Sequence, residues 1–94
     1  MSFEELTSEY IESAECVMQD MKTTQTAVNV AREDIEKAIK HARSYLDDAK
    51  YYRDKRRFEV GLTSIAYCEG LLDALKLLGV VSFEWPTKAK KKRQ

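Results

Sequence analysis

The sequence predicts an all-α fold: an up-down-up antiparallel three-helix bundle with an apolar C-terminal segment folded back on the second helix. Three observations predict it. Only three Gly and one Pro occur in 94 residues, too few turn residues for an all-β chain. Charged residues make up 34% of the chain, enough to solvate the outer faces of several helices. Apolar residues recur at steps of three and four in three separate stretches, the period of one helix face. A chain of this size buries roughly 60–65% of its unfolded surface, so one modest core is expected and a large internal catalytic cavity is not. The expected organisation is a single helical-bundle domain over residues 1–86 and a disordered basic tail over 87–94.

The first helix is expected over about residues 3–22. Ser2 followed by Glu5 reads as a capping box, in which the hydroxyl accepts from a free backbone N–H and the carboxylate reaches back to the cap. Phe3, Leu6, Tyr10, Ala14, Val17 and Met21 then form one stripe. The run Lys22-Thr23-Thr24-Gln25-Thr26 interrupts it with residues that favour caps over helix interiors, which predicts a tight turn.

The second helix is expected over about 26–54, or ~44 Å at ~1.5 Å per residue. Val28, Ala31, Ile35, Ala38, Ala42, Tyr45, Ala49 and Tyr52 alternate steps of three and four without a fault. Such a stripe is a bundle seam, and its Ala residues let a neighbouring helix approach closely. Glu33/Lys37 and Glu36/Lys40 add i,i+4 pairs on the outer face.

The third helix is expected over about 57–78, after a turn at Lys55-Arg56-Arg57. Phe58, Leu62, Ile65, Cys68, Leu72 and Leu75 form its stripe, widened by Val60, Tyr67, Leu71 and Leu78, so it should contact both other helices. Gly79 suits a left-handed cap. The second helix would then outrun the third by ~11 Å. Val80, Val81, Phe83 and Trp85 are the apolar material available to close that gap, which predicts a structural role for Trp85. The alternative arrangement is a long hairpin in which residues 1–54 form one kinked helix.

Charge is uneven although it sums to zero. Residues 1–86 carry 16 acids against 11 bases, and residues 87–94 carry five bases and no acid. A tail such as Lys88-Ala89-Lys90-Lys91-Lys92-Arg93 is too charged to bury; it solubilises the chain or touches an acidic partner such as nucleic acid or anionic lipid. The chain opens on acidic residues and holds no apolar run near the roughly 20 residues of a membrane span, so a cytoplasmic protein without membrane contact is expected.

Candidate chemistry is sparse. His41 is the sole histidine and sits on the rim of the second helix, so no triad or His/Cys metal cluster is available within one chain. No catalytic residue, metal or cofactor is expected. Cys16 is assigned to the outer side of its helix and Cys68 to the core side, so no disulfide joins them. Five positions and a paired carboxylate form the candidate partner-binding set. Glu69 and Asp73, at i,i+4, put two carboxylates on one face. Tyr51 points away from its seam and should be exposed, and Tyr is enriched at interfaces. Arg53, Lys55, Arg56 and Arg57 cluster at one turn and invite a phosphate-binding reading, although the topology brings Glu4, Glu5 and Glu9 to the same end. Gly70 is unusual, because an interior helical Gly costs about 1 kcal/mol relative to Ala. Close approach of another helix or an aromatic ring is its expected explanation, and a ligand or partner contact is the alternative.

Tyr51-Tyr52, the run Ile65-Ala66-Tyr67-Cys68-Glu69-Gly70-Leu71-Leu72-Asp73-Ala74 and the Leu78-Gly79 stop together resemble an archaeal family, domain of unknown function 357. The likeness covers roughly residues 26–80. In that family the turn between the last two helices carries Gly-Asp, where this chain has Arg56-Arg57. The resemblance implies a small archaeal three-helix bundle, found alone or attached to a nucleotidyltransferase-like domain, and supplies no activity. The leading expectation is a non-enzymatic protein–protein interaction module, with a second copy of the chain among its candidate partners. The alternatives are a nucleic-acid or ribonucleoprotein accessory using the tail and the Arg53–Arg57 cluster, and an accessory to a nucleotidyltransferase-like enzyme.

Overall fold

A computed structural model describes residues 2–23 and 30–86. Three helices carry the fold: α1 (Phe3–Asp20), α2 (Arg32–Asp54) and α3 (Phe58–Leu77). Two short strands, β1 (Lys22–Thr23) and β2 (Val81–Ser82), follow α1 and α3. The expected basic tail and the Val28 end of the second stripe lie outside the described residues.

The capping box at the start of α1 forms with one change. Ser2 Oγ accepts from the Glu5 N–H at 3.1 Å and donates to Glu5 Oε1 at 3.2 Å, so the carboxylate returns to the hydroxyl. Glu4 and Glu5 lie in the first turn, where the helix dipole favours negative charge.

The buried face of α1 differs from the expected stripe. Thr7, Ile11, Ala14 and Val17 face inward, whereas Phe3 is 62% exposed and Tyr10 is also exposed. Thr7 explains the rotation. Its hydroxyl donates to the Phe3 carbonyl at 2.6 Å and so needs no water, and its methyl then packs against Gly61 of α3. A Tyr in that place would hold the two helices apart. Cys16 is also buried, which corrects its assignment to the outer side.

Side chains fix the directions of the helices. Glu15 of α1 meets Arg43 and Lys50 of α2, while Glu4 near the start of α1 meets Arg56 just beyond the end of α2, so α1 and α2 are antiparallel. β1, after α1, pairs antiparallel with β2, after α3, in the register Lys22↔Ser82 and Thr23↔Val81. The ends of α1 and α3 therefore lie together, and the bundle runs up-down-up. The kinked-hairpin arrangement does not form.

α2 begins at Arg32, six residues later than the expected start at 26. Ala31 is its extended N-cap (φ −63°, ψ 139°) and its carbonyl accepts from Asp34 and Ile35. Glu33 and Asp34 in the first turn complement the dipole at this start. With 23 residues against 20 in α3, α2 is longer by only ~4.5 Å. The expected overhang of ~11 Å is absent.

α3 ends as expected. Gly79 takes φ 77°, its N–H bonds the Lys76 carbonyl at 2.9 Å, and the Val80 N–H bonds the Leu75 carbonyl at 3.2 Å. This is a Schellman closure, which requires the left-handed residue that Gly supplies. The reversal sends the next residues back onto the bundle. Val80, Val81 and Phe83 enter one core cluster with Ala14, Val17, Ala42, Leu46, Ile65 and Leu72. Trp85 stands edge-on to Phe83 at 5.2 Å and donates Nε1–H to Asp73 Oδ1 at 2.7 Å.

Candidate functional site

The candidate positions fall into two regions. At the α2–α3 turn, Tyr51 is 57% exposed, edge-on to Tyr52 at 5.2 Å, with the Lys55 ammonium 5.5 Å from its ring centre. Arg57 lies over Tyr52 at 5.7 Å. Arg53 Nε bonds Asp54 Oδ1 at 3.2 Å. Arg56 reaches Glu4 at 3.4 Å and lies over Phe58 at 5.3 Å. It is also the one non-Gly residue with positive φ (60°) among those described. The topology thus brings acidic α1 to this turn as expected, with Glu4 engaging Arg56.

Asp73 is exposed and Glu69 half-buried on the same flank of α3. Asp73 holds the Trp85 indole, and the Lys76 ammonium lies 5.1 Å over Phe83, so this flank of α3 anchors the returning segment. His41 is exposed on α2. Among the described residues, no group of three or more His, Cys, Asp or Glu could hold a metal ion. No described helix is long and apolar enough to cross a membrane.

Two features, a buried-edge ion cluster and the outer face of α3, stand outside the sequence-predicted candidate residues. Glu15 is half-buried between Arg43 and Lys50, and its carboxyl is held below its ordinary range, chiefly by the Lys50 hydrogen bond, against a desolvation penalty that pushes the other way. The cluster bridges α1 to α2, and the pairing of Glu15 with residues 28 and 35 positions away has no local signal. Cys68 is buried in the core, and desolvation pushes its thiol up to about 12, with Glu69 adding to the effect. Neither it nor Cys16 forms a disulfide. The Cys16 thiol contacts Asp20 Oδ2 at 3.9 Å.

The second missed feature is the outer face of α3. At 100° per residue, Ala66, Tyr67, Gly70, Ala74 and Leu77 lie opposite the buried line of Gly61, Ile65, Cys68, Leu72 and Leu75. All five outer residues are exposed, Tyr67 by 61% and Leu77 by 87%. Ala66, Tyr67, Gly70 and Leu71 line an open, shallow hollow of about 390 Å³. Tyr67 forms one wall, held by stacking on Tyr45 of α2 at 5.0 Å and 18° between planes. Gly70 makes the floor: a Cβ built on it would meet nothing within 4 Å. Among the described residues, the expected close approach of another helix or an aromatic ring to Gly70 is therefore absent; that role belongs to Gly61, whose Cβ would come within 3.2 Å of Thr7 Cγ2 and 3.5 Å of the Ala49 carbonyl.

Comparison with known families bears on the whole arrangement. The model of the family described as protein of unknown function (DUF357) matches residues 9–81. The chain belongs to this family. The DUF357 match starts within α1 and ends at the first residue of β2, so it reaches further toward the N-terminus than the resemblance over 26–80. All of α2 and α3 falls inside it, including the outer face and both glycines. No curated protein and no solved structure matches the chain.

Proposed function

We propose that this member of the DUF357 family is a non-enzymatic protein–protein interaction module of the archaeal cytoplasm, and that the outer face of α3 is its docking surface. The observation that carries the reading is the apolar line Tyr67, Gly70, Ala74 and Leu77 on a helix whose opposite side is already buried. Amphipathic helices that serve only a core carry polar residues on that side. Contiguous apolar patches rimmed by polar groups mark interaction sites. The archaeal setting rests on the family resemblance, and the cytoplasmic one on two cysteines that form no disulfide.

The turn residues support a nucleic-acid reading less well. Arg53 and Arg56 engage Asp54 and Glu4, and residues 1–86 carry an excess of five acids over bases, a poor field for a phosphate backbone. The two readings separate in one experiment. Immobilised chain and its Leu77→Asp variant are exposed to native cytoplasmic extract, with and without nuclease, across a salt series. A protein retained by the wild-type chain, lost with Leu77→Asp and indifferent to nuclease supports the module. Retention that Leu77→Asp leaves intact contradicts it, and retention abolished by nuclease or by modest salt favours the nucleic-acid accessory.

A further inference from the structure

We infer that the partner of the α3 outer face is a second copy of this chain, docked antiparallel about a two-fold axis between Gly70 and Ala74. The inference rests on the docking surface proposed above and names its occupant. The face carries both a hollow and a projection. The hollow is lined by Ala66, Tyr67, Gly70 and Leu71, and the projection is Leu77, with 87% of its surface exposed. Helical phase puts them on the same line, and about 8 residues or ~12 Å separates them along the axis. An antiparallel copy related by a two-fold midway between them seats each Leu77 over the other copy's hollow. Both contacts form in one register, as an isologous interface requires.

Shape and charge agree with that register. Gly70 faces Ala74 of the other copy at the crossing point, where two helix backbones must come closest, and the bulky groups lie toward the ends. Among the described residues nothing packs on Gly70, yet an interior helical glycine costs about 1 kcal/mol. A second helix at the crossing gives the missing Cβ a use. The outer line carries no charge from Thr63 to Leu77, so the two-fold brings no like charges face to face along it. Of the nearest charged groups, Asp73 is engaged by Trp85 and Lys76 lies over Phe83. Tyr67 and Leu77, 61% and 87% exposed, are the large side chains this face has to bury, so the contact lies at the small end of specific interfaces, about 1,200 Å² in total or less. An interface of that size gives a reversible dimer.

The test is sedimentation equilibrium of the full chain from about 5 to 500 µM, with Gly70→Leu, which fills the hollow, and Leu77→Asp, which charges the projection. The expected mass rises with concentration from 10.9 kDa toward twice that value. Each variant should weaken association at least tenfold while leaving the far-UV circular dichroism unchanged, since neither position touches the core. A mass that stays at 10.9 kDa throughout overturns the inference, and so does a dimer that both variants leave intact. If the chain is monomeric but still captures a protein that Leu77→Asp releases, self-pairing fails and the interaction module stands. If that capture is also indifferent to Leu77→Asp, both readings fail.

Discussion

Replacing each of the two interior glycines of α3 by alanine should shift stability in opposite directions. In a helix interior the change gains about 1 kcal/mol through propensity at either position. At Gly70 that gain is kept, because the new methyl meets nothing within 4 Å. At Gly61 the methyl would lie 3.2 Å from Thr7 Cγ2 and 3.5 Å from the Ala49 carbonyl. Thr7 is fully buried and its hydroxyl donates to the Phe3 carbonyl at 2.6 Å, so turning the side chain away breaks that bond. Overpacking of this kind costs about 1–3 kcal/mol, which cancels or exceeds the propensity gain. Gly70→Ala should therefore be about 1 kcal/mol more stable than wild type and Gly61→Ala level with it or up to about 2 kcal/mol less stable. For a domain of this size 1 kcal/mol moves Tm by about 4–8 °C. Thermal melts by circular dichroism decide it, run at low micromolar concentration in a Leu77→Asp background so that dimer formation does not contribute. Equal upward shifts would refute the close α1–α3 contact at Thr7; a lower Tm for Gly70→Ala would mean that the chain packs on its own outer face.

Glu15→Gln should flatten the acid limb of the stability curve. The folded-state carboxyl titrates below its ordinary value of 4.5, so its contribution is present above that pH and is lost as pH falls through the folded value; wild type should lose more Tm than the variant below about pH 4.5, and parallel curves would contradict the Lys50–Arg43 bridge. Trp85→Phe should cost about 1 kcal/mol or less, because the Asp73 bond is solvent-accessible, and Trp85→Ala about 2 kcal/mol, as expected for a half-buried ring; urea unfolding measures both. Cys68, with its thiol pushed up to about 12 by burial, should react with a thiol reagent at pH 7 only as fast as the chain opens, and a rapid two-thiol burst would contradict the core assignment.

The sequence specified the helices through periodicity and stop signals, and those signals are local. The ends of α2 and α3, the Ser2 cap and the Gly79 reversal all depend on residues within a few positions of one another. The start of α2 and the inward face of α1 were less legible. Thr7 reads as polar, but a bond to its own preceding turn makes it serve as a small apolar residue, and only its partner Gly61, 54 positions away, shows why. For the same reason the sequence could not rank Gly61 against Gly70: both are helical glycines, and what stands opposite each is a tertiary fact. The outer face of α3 was partly visible as an unusually wide apolar arc. α3 does meet both other helices as that arc required, and the residues beyond it, Ala66, Gly70, Ala74 and Leu77, stay exposed. The candidate residues Tyr51, Arg53, Lys55, Arg56 and Arg57 do gather at one end as their spacing requires. Their ring and carboxylate contacts come from side-chain packing that spacing does not encode.

A dilution series of ¹H–¹⁵N correlation spectra of the full chain reports self-pairing residue by residue. Pairing through α3 should give concentration-dependent shifts at Ala66, Tyr67, Gly70, Ala74 and Leu77, with the inward-facing Ile65, Cys68 and Leu72 and the turn residues Lys55–Arg57 far less affected. Spectra that do not change with concentration, or changes centred on the turn, would contradict it.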